Sequence, residues 1–192
     1  LPGLVHATDC DNILFIENTG VRAPSWQDLP RVKKRVQNWL KSVHGFRKEM
    51  DNLYIYSPVF LPFPYSRVAR IINRKIIISA VKNWMKSAEF YEPIIWTFLP
   101  TYITLDIARN INHKLLVYYC TDNFSATSKA ARKITPIENR VIALSDVVFA
   151  MSSSMEKHCL KFNKNVVRMP MGVNFDQFNT VRQQPAETPL EL

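Results

Sequence analysis

Several short stretches carry side chains able to handle hydroxyls, phosphates and protons. Asp122 is the only carboxylate directly behind the apolar run Leu115 to Tyr119. A carboxylate so placed can take a proton from a hydroxyl once partial desolvation lifts its pKa. An Asp there also closes turns and caps helices, and residue type alone leaves both roles open. Glu17-Asn18-Thr19-Gly20-Val21-Arg22 sets both charge signs around one flexible residue. Such a loop suits the holding of hydroxyls or a phosphate, and equally a solvated turn with a local ion pair. Thr97 closes another apolar run, and Ser152 and Ser153 follow a further one. Ser153-Ser154-Met155-Glu156 has the S-x-x-E form in which hydroxyl and carboxylate each satisfy an orphan backbone N–H, which makes Ser153 the expected cap. A helix N-terminus also attracts anions. Glu138 sits inside a helical segment, where a structural role is favoured over one in the cleft. His6, His44, His113 and His158 follow none of these runs, so a histidine base is not expected.

Other chemistries are disfavoured. The four glycines, at 3, 20, 45 and 172, form neither GxGxxG nor GxxxxGK[ST], which argues against a dinucleotide enzyme or a P-loop NTPase. Cys10, Cys120 and Cys159 make no CxxC pair, so neither a zinc site nor a disulfide framework is supported, and a reducing cytoplasm is the expected compartment. No window holds the roughly 18 to 20 apolar residues needed to span a bilayer.

The elements that must position these residues alternate. Runs rich in β-branched and aromatic residues recur at Asn12 to Ile16, Asn52 to Ser57, Pro93 to Thr97, Leu115 to Tyr119, Asp146 to Met151 and Asn165 to Met169. Their near-continuous hydrophobicity predicts a parallel sheet covered on both faces by helices, a Rossmann-like α/β fold. In such a sheet ligands bind beyond the carboxyl ends of the strands, which is what singles out the residues above. Val32, Val36, Trp39, Leu40 and Val43 fall on one stripe of a helix that Gly45 would stop. Further helices are expected from about Ser66 to Phe90, with Val68, Ile71, Ile72, Val81, Trp84 and Met85 inward; after Pro100; from about Thr127 to Leu144, with Ile134, Ile137, Val141 and Leu144 inward; and from Ser153. Pro58, Pro62 and Pro64 mark an extended loop.

The 192 residues suit one domain, and the formal charge of +9 points to a phosphate, an acidic sugar or a lipid surface as partner. Arg31, Lys33, Lys34, Arg35, Lys41, Arg47 and Lys48 decorate the first amphipathic helix and its end, without an acid between Leu29 and Lys48. Arg67, Arg70, Arg74 and Lys75 form a second cluster. Both can rest on anionic headgroups or simply be solvated. Nucleic acid is not expected as a partner, since no helix-turn-helix, RNP, KH or zinc-finger pattern is present.

Three further stretches suggest a family when taken in order. They are Val117-Tyr118-Tyr119-Cys120-Thr121-Asp122, then Ile137-Glu138 with Ala143-Leu144-Ser145-Asp146-Val147-Val148-Phe149-Ala150-Met151-Ser152, then Val166-Val167-Arg168-Met169-Pro170-Met171-Gly172-Val173-Asn174-Phe175-Asp176-Gln177-Phe178. Together they resemble the end of the N-terminal domain of GT-B glycosyltransferases, especially the nucleotide-sugar-dependent retaining group. In that family an acid-bearing helix leads to a strand of the form A-D-x-V-x-x-x-S, and a later strand ends P-x-G-V-D-x-x-x-F. Ile16 to Pro24 and Ser57 to Pro64 look like bacterial cell-surface polysaccharide transferases. Met171 and Asn174 depart from the usual Asn and Asp around Gly172.

The resemblance implies residues 1–175 as the acceptor-side Rossmann-like lobe of a GT-B architecture, lacking a first strand, and 176–192 as a linker towards a donor-binding domain beyond the sequence. It implies sugar transfer from a nucleotide-sugar donor to a glycan or lipid-linked acceptor in cell-envelope or exopolysaccharide synthesis. No metal or other cofactor is expected, the place of action is the cytoplasm or the inner face of the plasma membrane, and the fragment alone is expected to be inactive. Asp122 is the expected catalytic residue. Glu17, Asn18, Arg22 and Thr97 would bind acceptor, while Ser152 and Gly172 would lie on the donor side or at the hinge, Gly172 supplying a backbone angle that other residues resist. The alternative is a non-catalytic basic α/β module for an acidic polymer or nucleic acid.

Overall fold

The computed structural model describes residues 12–17, 45–61, 66–124, 131–172, 175–176 and 179. The elements in order are β1 (Ile13–Ile16), β2 (Phe46–Met50), β3 (Leu53–Tyr56), α1 (Arg67–Ser87), β4 (Ile94–Thr97), α2 (Tyr102–Asn110) and β5 (Leu115–Cys120). A 3-10 turn (Ala131–Ile134) then leads into α3 (Thr135–Leu144), followed by β6 (Val147–Ala150), α4 (Ser153–Cys159) and β7 (Val166–Arg168). Each expected strand is present, with its ends within one residue of the sequence-based bounds. The class is α/β with a Rossmann-like parallel sheet.

That sheet has the order β4-β5-β6-β7 and is parallel throughout. Its strand order never reverses, so crossovers of one hand return every connecting helix to the same face. Leu105 of α2, Ile137, Val141 and Ile142 of α3 and Cys159 of α4 accordingly share one core with Tyr118, Cys120 and Val148. Among the described residues these helices cover that face, and the helix expected around Val32 to Val43 lies outside them. Strand alternation sends Trp96, Tyr119 and Phe149 to the other face, where rings pack on rings: Trp96 stacks on Phe149 with centroids 5.5 Å apart, and Phe98 lies 5.9 Å from Tyr119.

The remaining strands form a separate sheet, β1-β3-β2, in which β1 and β3 are parallel but β2 runs antiparallel. Strand β2 was not expected, and Arg47 and Lys48 belong to it rather than to a helix end. Gly45 does not stop a described helix; it turns the chain into β2 with φ 91°, a left-handed angle suited to glycine. Phe46 then stacks on Tyr56 at 4.2 Å.

Helix α1 corrects the sequence reading of its faces. The buried row is Ala69, Asn73, Ile77 and Val81, spaced by four, whereas Val68, Ile71 and Ile72 are exposed. Asn73 can afford burial because it closes a two-way clasp on the preceding loop: Leu61 N–H donates to its Oδ1 at 2.8 Å, and its Nδ2 donates to Leu61 O at 3.1 Å. Ile77 and Val81 pack with Tyr56 and Ile111, and Met85 packs against that cluster as expected. Helix α2 serves both cores, through Leu105 on one side and Ile103 and Ile107 on the other. Leu144, expected inward, is exposed. Among the described residues no helix is long and apolar enough to cross a membrane.

Candidate functional site

The carboxyl ends of β4, β5, β6 and β7 make one rim because the strands are parallel neighbours. Thr97 ends β4, Asp122 lies two residues beyond β5, Ser152 two beyond β6 and Gly172 four beyond β7. With strands about 4.8 Å apart, the backbone at the ends of the first three spans roughly 10 Å, about the length of two sugar rings. Asp122 is exposed rather than partly desolvated, and Thr121 Oγ1 donates to its Oδ2 at 3.2 Å. An exposed carboxylate fixed from one side can accept from an incoming hydroxyl.

The hydroxyls of Thr97 and Ser152 are engaged in the fold. Thr97 Oγ1 donates to Leu99 O at 3.2 Å and lies 3.4 Å from Thr104 Oγ1, tying the turn between β4 and α2. Ser152 Oγ accepts from Met155 N–H at 3.4 Å, so Ser152 caps α4 and not Ser153, one residue earlier than the S-x-x-E spacing predicts. Gly172 also departs from expectation. It does not lie in the left-handed region, and a Cβ there would meet nothing within 4 Å. The proposed need for glycine at that point is thus not a backbone one.

Glu17 lies at the carboxyl end of β1, which belongs to the other sheet. Ser57, at the end of the neighbouring strand β3, donates to its Oε2 at 2.5 Å, and Arg47 Nη2 donates to its Oε1 at 3.4 Å. Arg47 Nη1 also donates to Ser57 Oγ at 3.2 Å, closing a three-residue clasp. Arg47 is thus the cation that meets Glu17 among the described residues. Asn18 and Arg22 lie outside the described residues, as does the helix expected around Val32 to Val43. The structure brings Thr97, Asp122, Ser152 and Gly172 to one rim and places Glu17 in a separate cluster.

Sequence reasoning missed Arg47, Ser57 and the aromatic pair beside Thr97. Trp96 is 39% and Phe98 43% exposed, an apolar platform next to the rim. An aromatic on each side of a strand-terminal Thr was the available signal. His113 keeps its expected place before β5, with Nδ1 2.9 Å from Ile111 O.

Glu138 has the structural role favoured by the sequence. It is 4% exposed under β5, accepting from Tyr118 Oη at 2.9 Å and from the Cys120 thiol at 3.9 Å. Burial raises its pKa above the ordinary carboxylate value, against the opposing influence of the Tyr118 hydrogen bond, His158 and Cys120. Burial likewise pushes the Tyr118 hydroxyl up. Asp146, within the stretch resembling A-D-x-V, is also structural: its Oδ2 accepts from Leu116 N–H at 2.7 Å at the opposite end of the sheet from Asp122. Among the described residues no group of three or more His, Cys, Asp or Glu side chains is arranged to hold a metal ion.

No protein-family model matches the chain, and no curated protein matches it either.

Proposed function

We propose that the chain is the acceptor-side lobe of a GT-B glycosyltransferase, moving a sugar from a nucleotide-sugar donor to a glycan or lipid-linked acceptor of the cell envelope or an exopolysaccharide. One observation carries this reading: Asp122 stands exposed on the carboxyl rim of an uninterrupted parallel sheet, with the Thr121 hydroxyl bonded to it and exposed Trp96 and Phe98 at the end of the neighbouring strand. Ligands of open parallel sheets bind at this rim. Aromatic rings offer an apolar surface to the C–H face of a sugar, while a carboxylate takes the hydroxyl.

In this reading Asp122 orients or deprotonates the acceptor hydroxyl. Trp96 and Phe98 support the ring, Thr97 and Ser152 shape the rim, and the Glu17 clasp borders the acceptor side. Asn18 and Arg22 remain acceptor contacts by resemblance, and Gly172 begins the passage towards a donor-binding domain. By the resemblance no metal or other cofactor is expected, the nucleotide sugar being a substrate. The place of action is the cytoplasm, at the inner face of the plasma membrane.

The test uses the protein expressed from its complete reading frame, offered a panel of labelled nucleotide sugars with glycan and lipid-linked acceptors. Transfer that Asp122→Asn reduces supports the reading. Absence of transfer and of donor hydrolysis, with tight salt-dependent binding to polyanions, would replace it with a non-catalytic basic module.

A further inference from the structure

Helix α1 carries an apolar face that the described residues leave uncovered. Val68 is 66% exposed and Ile71 57%, with Ile72 beside them, although large aliphatics on a 21-residue helix ordinarily turn inward. Their turns also hold Arg67, Arg70 and Arg74, which together with Ile71 and Asp106 of α2 line a recess of about 280 Å³. Helix α1 contains no acid along its whole length. Opposing the three guanidiniums are Asp106, 4.0 Å from Arg74 Nε, and Asn110, whose Oδ1 accepts from Arg74 Nη2 at 3.1 Å. Arg70 lies over the Tyr102 ring at 3.6 Å, and its Nε is buried without a hydrogen-bond partner. One carboxylate among three guanidiniums leaves an excess of positive charge in a concave site.

We propose that this face of α1 docks the protein on a bilayer containing anionic lipid, the recess of Arg67, Arg70 and Arg74 taking headgroup phosphates while Val68, Ile71 and Ile72 enter the acyl boundary. The interleaving of the two residue types decides the occupant. Large aliphatics set between long cations match an interface whose apolar and anionic layers lie a few ångströms apart. A protein partner would be expected to meet exposed aromatic rings at the centre of the patch, where this one has Val68 and Ile71, and nucleic acid would gain little from isoleucines there. Membrane docking gives the surface by which the peripheral location proposed above is achieved. Its test reads vesicle binding and not transfer, so either idea can fail while the other stands.

The whole chain would be sedimented with phosphatidylcholine vesicles with and without phosphatidylglycerol. Binding is expected only with the anionic lipid, and it should weaken as salt is raised. Arg67→Gln/Arg74→Gln leaves the Arg70–Tyr102 contact in place and should weaken binding roughly 30-fold, from about 1 kcal/mol per cation. Ile71→Ser/Ile72→Ser changes only exposed side chains and should cost about tenfold. Circular dichroism checks that each variant is folded, and the unaltered chain provides a test that needs no variant. Failure of that chain to prefer anionic vesicles overturns the proposal. So does unchanged binding by both folded variants. Two further results would overturn it: stabilisation by inorganic phosphate with no vesicle binding, which marks a soluble-anion site, or oligonucleotide binding that the isoleucine variant retains in full while vesicles are ignored.

Discussion

Asp122 lies beyond the carboxyl end of β5 and Glu138 lies beneath the same strand. Asp122 is exposed, steadied by the neighbouring Thr121 hydroxyl. Glu138 is enclosed by the helix layer and bonded to Tyr118 and Cys120. The same side-chain chemistry thus serves two ends. Under the sheet burial raises the acid's pKa, and it can give neither a proton nor a lone pair to a substrate it never meets. At the rim an acid keeps water and ligands within reach. Position relative to the sheet layer, more than residue type or motif membership, separates the site candidate from the structural one.

The contrast predicts opposite phenotypes. If the proposed transferase reading holds, Asp122→Asn should lower transfer about 10²-fold or more, the usual weight of a general base, while its melting temperature stays put. Initial rates sharpen the role. A loss in kcat marks proton transfer, whereas a rise in acceptor KM with kcat preserved marks positioning.

Glu138 should behave in reverse. Glu138→Ala leaves the Tyr118 hydroxyl buried without its acceptor and opens a cavity, so it should cost about 3 kcal/mol in denaturant unfolding. Glu138→Gln keeps an acceptor and removes the titration. Because burial raises the native pKa above 4.5, the unfolded chain releases this proton first as pH rises. Glu138 thus contributes stability that is full below pH 4.5 and is lost as pH climbs through the native value. The Gln variant should flatten that part of the stability–pH curve. A wild-type curve with no such decline, or an equal decline in the variant, would show that Glu138 does not carry it.

How far the sequence revealed these differences depends on the kind of signal. Strands of the parallel sheet were legible because buried parallel strands read as short apolar blocks, as Leu115 to Cys120 does. Strand β2 was not, since Phe46-Arg47-Lys48-Glu49-Met50 is polar at an edge, and its basic residues merge with the run before it. The faces of α1 were misread because its core row includes a small residue and an amide, Ala69 and Asn73, whose burial depends on a loop clasp that no local pattern encodes. Rim membership of Thr97, Asp122 and Ser152 followed from the apolar runs they close or follow and the carboxyl-end rule. The partner of Glu17 did not, because Arg47 reaches it through an antiparallel pairing thirty residues away.

That clasp offers a smaller test. Ser57 is buried while Glu17 and Arg47 are partly exposed. Ser57→Ala removes a short charge-assisted bond but leaves the carboxylate its Arg47 contact and water, so the expected cost is about 1 kcal/mol. Glu17→Gln should cost no more than this, given how little a half-exposed ion pair contributes. If Glu17 also meets the acceptor, that variant should raise acceptor KM beyond anything its stability change explains.

The least disruptive substitution probes the end of the rim. Gly172 follows β7 without a left-handed backbone angle, and a methyl group there would meet no atom within 4 Å. Gly172→Ala should therefore change stability by less than about 0.5 kcal/mol, or raise it slightly by restricting the unfolded chain. Its value lies in the comparison with Asp122. If Gly172 matters only for passage between two lobes, the Ala variant should leave unfolding unchanged in this chain and, in the enzyme from the complete reading frame, alter kcat through domain closure. A silent result in both assays would mean that the glycine resembling P-x-G-V serves neither backbone nor hinge, and the rim's functional part would then end at Ser152.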